Sequence, residues 1–329
     1  MNRRTLLLGL ASGALTQGLA AQPQPGKIAH IGILSMRRPG DSTLGQIALM
    51  QGLRERGYVE GRNLQIERPD ALGREDLFPE LAADLVRKKV DLILIVGPAP
   101  LAAARNATTT IPLVMVASSS DPVAEGAAAS LNRPGGNVTG LTYGESDRFK
   151  KQLEQLKTVA TRITRIAVLW DFDVEHFRRY WQVPLAEASR VLGLQMQEPI
   201  RVRTADELPA AFATMKQRQA DAFVIASGGF LLAAREQVAA LALQHRMPGI
   251  AAFREFPQAG LLMSYGPDLP DINRRAGDYV DRILKGAKPG ELAIQLPSRF
   301  EFVVNATTAS ALGLTIPQSV LQRGGEIVR

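Results

Sequence analysis

The chain has 329 residues, of which 46% are hydrophobic and 22% charged, a balance typical of a folded globular protein rather than a disordered chain or a fibrous rod. It contains no cysteine and three histidines without HExxH spacing, which excludes disulfides, thiolate metal sites and a cysteine nucleophile and argues against a zinc enzyme. The net charge of +7 is spread over short basic clusters, with no long basic run and no series of stacking aromatic residues, so we expect no nucleic-acid partner.

The first segment of the chain predicts an export signal over residues 1–21. Arg3 and Arg4 precede an apolar run over residues 6–19, and the small residues Gly18, Ala20 and Ala21 at its end are typical of a cleavage site. The run is too short to span a bilayer permanently. It lacks a polar face, which disfavours the alternative of a buried N-terminal helix. We therefore expect a periplasmic protein, exported by either the general secretory or the twin-arginine route.

From residue 28 onward, short apolar runs alternate with longer amphipathic stretches, which predicts parallel β-sheets with crossover helices. The expected strands are 28–36, 64–66, 90–96, 113–117, 138–143, 166–170, 194–202, 222–226, 248–253, 261–265 and 300–304. The expected helices are 44–56, 76–88, 150–160, 207–218, 233–245 and 271–284. These strands are too many for one sheet, so we predict an α/β fold of two Rossmann-like lobes joined by a multi-strand hinge. The expected boundaries are 22–145 plus 261–288 for the first lobe and 146–260 plus 289–329 for the second.

Candidate binding residues of the first lobe lie where its strands end, because ligands of such folds meet the carboxyl ends of parallel strands. Asp121 followed by Pro122 predicts a helix start, where the Ser118 and Ser119 hydroxyls and free amides could hold an anionic group. The alternative is plain capping by Asp121 with spare serines. Other strand ends contribute a hydroxyl, a thioether, a helix start and an aromatic ring at Ser35, Met36, Pro98 and Tyr143.

Candidates of the second lobe follow the strands at 166–170 and 222–226. We expect Asp171 either to bind an amine or to cap a helix, and Phe172 to flank the apolar body of a ligand. Ser227 and Gly228 belong to a loop in which the glycine either lets the backbone approach a ligand or simply turns the chain.

Enzyme signatures are missing from the sequence. The glycine-rich segment 135–140 precedes a strand, whereas a dinucleotide fingerprint follows a strand and opens a helix. There is no P-loop and no GxSxG nucleophile motif. We therefore expect a non-enzymatic protein with no cofactor and no metal. The alternative is a secreted α/β hydrolase that uses the same cleft.

Longer motifs occur at residues 51–63 (QGLRERGYVEGRN), 121–123 (DPV), 133–140 (RPGGNVTG), 254–256 (REF), 260–267 (GLLMSYGP) and 311–317 (ALGLTIP). Through them the chain, from about Lys27 to its end, resembles the periplasmic substrate-binding component of ABC importers, in a branch that includes tryptophan-binding members. The resemblance implies the type I periplasmic binding protein fold and a role in transport. It also implies that the first-lobe contacts are Ser35, Ser118, Ser119, Asp121 and Tyr265.

Two loops depart from the pattern of that family. Asp171-Phe172 stands where relatives usually have an Asn-Pro pair, and residues 226–229 stand where relatives often carry Asp-Pro. The ligand of a relative is therefore not expected to transfer. We expect an exported, monomeric protein that captures a small-molecule ligand between its lobes, by preference an amino acid or a small aromatic or carboxylate compound. Its expected partner is an ABC permease of the inner membrane.

Overall fold

The computed structural model describes residues 28–36, 44–72, 74–119, 121–143, 146–171, 177–226, 229–322 and 325–329. The expected export signal, Phe172, Ser227 and Gly228 lie outside these residues. The strands are β1 (Ala29–Ser35), β2 (Leu64–Glu67), β3 (Leu92–Val96), β4 (Leu113–Ser118), β5 (Val138–Thr142), β6 (Arg165–Trp170), β7 (Gln195–Met196), β8 (Ile200–Arg201), β9 (Ala222–Ala226), β10 (Gly249–Ala251), β11 (Met263–Pro267), β12 (Phe300–Asn305) and β13 (Glu326–Val328). The α-helices are α1 (Leu44–Glu55), α2 (Phe78–Arg87), α3 (Pro98–Ala107), α4 (Ser146–Val159), α5 (Val183–Val191), α6 (Leu208–Gln217), α7 (Gly229–Ala233), α8 (Arg235–Gln244), α9 (Glu255–Gln258), α10 (Leu269–Leu284), α11 (Ala306–Ala311) and α12 (Gln318–Gln322).

The first lobe is built on a five-stranded sheet in the order β2-β1-β3-β4-β5, with every pair parallel. Helices α1 and α10 contribute to the apolar core on one face, and α2 and α3 contribute to the core on the other. Because both faces are covered, a central strand such as β3 reads as the continuous apolar run LILIV, in which Leu92 to Ile95 are fully buried.

The second lobe is built on an eight-stranded sheet in the order β13-β12-β11-β10-β9-β6-β7, with β8 also pairing β6. Helices α4 and α5 join the core on one face, and α6 to α9 join the core on the other. Its strands pair in parallel except for β11 and β12, which are antiparallel. Antiparallel pairing arises because β12 enters the sheet after an excursion of the chain through the first lobe.

Close contact between α1 and α10 depends on glycine. A Cβ atom on Gly52 would lie 2.1 Å from the carbonyl oxygen of Arg274, and one on Gly277 would lie 2.7 Å from the carbonyl carbon of Gly52. Absence of side chains at both positions therefore lets the two backbones touch. This contact fixes α10 to the first lobe, although the strand before α10 belongs to the second.

Three crossings join the lobes and form the hinge. The first runs between Thr142 of β5 and α4, the second from Pro267 of β11 into α10, and the third from Gln295 to β12. The first and third crossings are bonded to each other, because Thr142 N donates to Gln295 O at 3.0 Å and Gln295 N donates to Gly140 O at 2.9 Å. The second and third are joined where Asp268 N donates to Arg299 O at 3.3 Å. These bonds tie the three crossings into one unit.

The predicted α/β class with two parallel-sheet lobes is confirmed by this architecture. The predicted strand at 194–202 is divided into β7 and β8, and β13 has no counterpart among the predicted strands. The segment 261–288, expected in the first lobe, is split: β11 pairs with β10 and β12 in the second sheet, and only α10 packs on the first lobe. An apolar run predicts a strand but does not determine which sheet that strand joins. For this reason the sequence assigned β11 to the wrong lobe.

Candidate ligand-binding site

The connectivity of the two sheets locates the candidate site. In the first lobe the chain leaves β1 for β2 on one side and then returns to β3 on the other, which places a topological switch point between β1 and β3. In the second lobe it leaves β6 for β7 and β8 and then returns to β9, which places a switch point between β6 and β9. Ligands of open α/β sheets bind outside the carboxyl ends of the strands at such points.

The hinge places the carboxyl edges of the two sheets on either side of one region between the lobes. The first crossing leaves the carboxyl end of β5, and the second leaves the carboxyl end of β11. The carboxyl edges of both sheets therefore border the region between the lobes. A contact across this region joins Tyr143 of the first lobe to Phe253, which follows β10, with ring centroids 6.5 Å apart at an interplanar angle of 84°.

Three of the predicted residues lie at the first switch point. Ser35 ends β1 in register with Val96 of β3, and the half-buried Met36 follows it and packs against the lobe core. Pro98 begins α3 directly after Gly97, whose φ of +102° is a conformation that favours glycine. Pro98 and Pro100 lack an N–H, so the first turn of α3 offers few amide donors to a ligand.

Of the residues predicted to bind after β4, the two serines lie together beside the hinge. Ser118 and Ser119 are buried, with exposed fractions of 0% and 5%. The Ser118 carbonyl accepts from the Thr142 hydroxyl at 3.0 Å and from the Tyr143 amide at 2.9 Å, which links β4 to the first hinge crossing. These bonds hold the two serines and Tyr143 in one group beside the hinge.

Asp121 caps a turn and leaves fewer amides available than expected. Its Oδ1 atom accepts from the amides of Val123 at 3.1 Å and Ala124 at 3.0 Å. The chain then makes a single turn over residues 122–126 rather than a longer helix. The alternative of plain capping therefore describes the observed geometry of Asp121, and the two amides expected for an anionic group are already used by its carboxylate.

Asp171 lies at the second switch point, and its carboxylate supports a neighbouring helix. Its Oδ2 atom accepts from the Leu231 amide at 2.7 Å, within α7, which follows β9. Asp171 therefore links the loop after β6 to the helix after β9. Of the two roles expected for it, helix capping is the one that the geometry displays, although the helix is not the next one in sequence.

Two residues in contact with each other, Trp170 and Arg201, lie beside Asp171. Trp170 ends β6 and pairs in register with Ala226 of β9 on one side and Arg201 of β8 on the other. Its indole stacks on Phe177 with centroids 4.1 Å apart, and the Arg201 guanidinium carbon lies 5.3 Å from the indole centroid. Arg201 escapes sequence reasoning because its neighbour depends on strand pairing, and the only local signal is an arginine inside an apolar run.

Tyr265 belongs to the second sheet, whereas the resemblance implies a first-lobe contact. It lies on β11, its ring stacks on Phe300 with centroids 5.7 Å apart, and its carbonyl accepts from the Gln152 side chain at 2.8 Å. Phe300 is the first residue of β12, immediately after the third crossing. Tyr265 therefore connects two hinge strands and α4.

An ionic cluster joins the carboxyl end of β10 to the first residues of β12 and β13. Arg254, which follows β10, donates to Glu301 of β12 at 2.7 Å and to both carboxylate oxygens of Glu326 of β13 at 2.7 and 2.9 Å. Burial raises the pKa of the Glu301 carboxyl above its usual value, and the Arg254 guanidinium offsets part of that effect.

The described residues hold no group of three histidine, cysteine or acidic side chains placed for a metal ion. Within the same residues, no helix combines the length and apolar character needed to cross a membrane.

Comparisons with known proteins agree with this architecture. Residues 40–328 match the family described as ABC transporter substrate binding protein. A tyrosine-binding protein of Clostridioides difficile is 26% identical over 289 residues, which cover 88% of this chain and 82% of that relative. A conserved domain protein of Vibrio cholerae superposes with a TM-score of 0.82 at 25% identity, over 92% of this chain and 100% of that chain. An ABC domain of Streptococcus pneumoniae in complex with L-Trp gives a TM-score of 0.80 at 24% identity, over 91% and 99% of the two chains. The chain has the type I periplasmic binding protein fold and belongs to the ABC transporter substrate binding protein family.

Proposed function

We propose that this substrate-binding protein captures a small solute of aromatic or carboxylate character, such as an aromatic amino acid, in the cleft between its lobes. The observation that carries the proposal is that the hinge crossings leave the carboxyl ends of β5 and β11, so that both switch points border one cleft. Such clefts between α/β lobes are common ligand sites. Closure about the hinge buries the solute without changing it chemically.

The preferred solute class has two supports. One relative is named for binding tyrosine and another is seen in complex with L-Trp, and both of these solutes combine an aromatic ring with a carboxylate. The cleft itself carries aromatic surface close to the hinge, since Tyr143 and Phe253 meet there from opposite lobes. Aromatic rings supply apolar contact area for a ring-bearing solute.

The proposed contacts from the first lobe surround its switch point. They are Ser35, Met36, Pro98, Ser118, Ser119 and Tyr143. The hydroxyls orient the polar end of the solute, and the apolar side chains cover its body. Asp121 shapes the turn beside them, Asp171 positions α7, and Tyr265 stabilises the hinge.

The proposed setting is the periplasm, with an ABC permease of the inner membrane as partner. Family membership supports delivery to a transporter. The basic, apolar and small-residue pattern over residues 1–21 supports export. In this setting the closed form, which buries the solute, is the form that the permease receives.

Isothermal titration calorimetry of residues 22–329 tests the proposal. L-tyrosine, L-tryptophan and benzoate are titrated beside a sugar and a nucleoside, and saturable binding is expected within the first group. Ser119→Ala is expected to weaken that binding about 2- to 10-fold, the usual worth of one hydrogen bond. Ser310→Ala, on the exposed side of α11, is the matched control and is expected to leave affinity unchanged. Binding of sugars or nucleosides alone would contradict the solute class, and no binding in either group would contradict the function.

A further inference from the structure

Two side chains in contact at the second switch point, Trp170 and Arg201, each contain a buried hydrogen-bond donor. Trp170 has an exposed fraction of 7%, and its indole nitrogen Nε1 is fully buried. The Nε atom of Arg201 is buried as well. Neither nitrogen has a hydrogen-bond partner among the described residues. Buried polar groups are almost always paired in native proteins, so each of these nitrogens requires an explanation.

The chemistry of these two N–H groups limits the kind of atom that can bind them. An indole N–H and a guanidinium N–H are donors only, so only an acceptor atom completes them. Arg201 in addition carries a positive charge, and in the described part of the chain it forms no salt bridge with an acidic side chain. By contrast, the Arg165 guanidinium on β6 lies 3.4 Å from Asp221, and Arg254 is paired with two glutamates. Among the described residues, the charge of Arg201 therefore has no acidic partner.

The two side chains are held in place by ring contacts. Phe177 stacks on the Trp170 indole at an interplanar angle of 21°, and the Arg201 guanidinium carbon lies 5.3 Å from the centroid of the same indole. Register between β6 and β8 pairs the two backbones directly, and Val202 N donates to Trp170 O at 2.9 Å. A donor pair fixed by packing loses little freedom when it binds an acceptor.

We propose that Trp170 Nε1 and the Arg201 guanidinium form the subsite that binds the carboxylate of the solute. The inference rests on the proposed function and adds to it the group that the second lobe recognises. A carboxylate suits the pair because it is anionic and offers two acceptor oxygens. The first lobe is less suited to that task in its described residues, because two prolines begin α3 and Asp121 already accepts the amides of Val123 and Ala124.

Paired solutes and conservative variants test the subsite. Affinities of residues 22–329 are measured for L-tryptophan, L-tyrosine and benzoate and for their uncharged amides, L-tryptophanamide, L-tyrosinamide and benzamide. The acid form is expected to bind about 10- to 100-fold more tightly than the amide, the range for a hydrogen bond to a charged group. Trp170→Phe, which keeps the stacking ring but removes the N–H, and Arg201→Gln are each expected to reduce that ratio. Arg203→Gln, an exposed arginine further along the same segment, is the control for net charge and is expected to preserve it.

A second readout follows the indole directly. The chain has two tryptophans, so its indole N–H region shows two NMR cross-peaks, and Trp170→Phe identifies the one that belongs to Trp170. The acid form is expected to move that peak downfield and the amide to move it less. If solutes bind but do not move the Trp170 peak of the unmodified chain, and the acid-to-amide ratio is unchanged in the Trp170→Phe and Arg201→Gln variants, the inference fails. If no solute of either form binds the unmodified chain, the proposed function fails and the inference with it.

Discussion

Substitution of Gly52 by alanine is expected to weaken the first lobe by forcing α1 away from α10. A Cβ atom at this position would lie 2.1 Å from the carbonyl oxygen of Arg274 and 2.9 Å from its carbonyl carbon. Carbon and oxygen in close contact are normally about 3.3 Å apart, so the helices must separate by roughly 1 Å. The obstacle is backbone, which cannot rotate away as a side chain can.

The size of the effect follows from two opposing terms. Overpacking a well-filled contact costs about 1–3 kcal/mol, whereas replacing glycine by alanine inside a helix returns up to about 1 kcal/mol. Because the obstacle is backbone, the cost is expected near the upper end of its range, which leaves a net loss of about 2 kcal/mol. At about 2–4 °C per kcal/mol, this loss lowers the melting temperature by several degrees.

Thermal unfolding followed by circular dichroism measures this shift. Gly136→Ala is the matched control, because a Cβ atom there meets nothing within 4 Å and its φ is not in the left-handed region. Its melting temperature is expected to stay within about 2 °C of the unmodified chain, in line with surface substitutions. Equal melting temperatures for the Gly52→Ala variant and the unmodified chain would refute the close approach of the two helices.

Two further substitutions test contacts on either lobe. Asp171→Ala is expected to cost about 1–2 kcal/mol of stability, because the Leu231 amide loses its acceptor, while Asp171→Asn keeps an acceptor oxygen and loses less; equal urea midpoints for both variants would contradict this role. Hydrogen bonds from Lys88 and His30 lower the pKa of the Glu67 carboxyl to about 2. Since the pKa is depressed in the folded state, this stability is present above the ordinary glutamate pKa and is lost as the pH falls toward 2. Glu67→Gln is therefore expected to melt below the unmodified chain at pH 7 and to approach it near pH 2; a gap that stays constant with pH would exclude the ionised carboxylate as its cause.

The sequence predicts the elements of this fold better than their arrangement. Apolar runs such as Leu92–Val96 identify strands because they are buried on both faces, and the Gly97-Pro98 pair correctly opens α3. Assignment of β11 to a lobe depends on its pairing with β10 and β12, which leaves no trace in local composition. The antiparallel entry of β12 is equally invisible, since the chain reaches it only after crossing the hinge.

In the candidate site, too, the sequence predicts local features but not the contacts between distant parts of the chain. Ser35 and Pro98 can be predicted because a strand end is a local feature, and the structure places them at a switch point. The bond from Asp171 to the amide of Leu231 spans 60 positions and depends on β6 and β9 being neighbours. Arg201 lies beside Trp170 only because of the register between β8 and β6. Side-chain contacts that arise from strand pairing therefore cannot be predicted from the sequence alone.

Native mass spectrometry of residues 22–329, mixed with L-tyrosine, L-tryptophan and benzoate, tests the central claim most directly, because it reports both binding and any chemical change. We predict a complex of one chain with one solute, from which the solute is released with its mass unchanged. A chain that retains none of these solutes would contradict their capture in the cleft. Release of a solute with altered mass would show turnover and favour an enzyme that uses the same cleft.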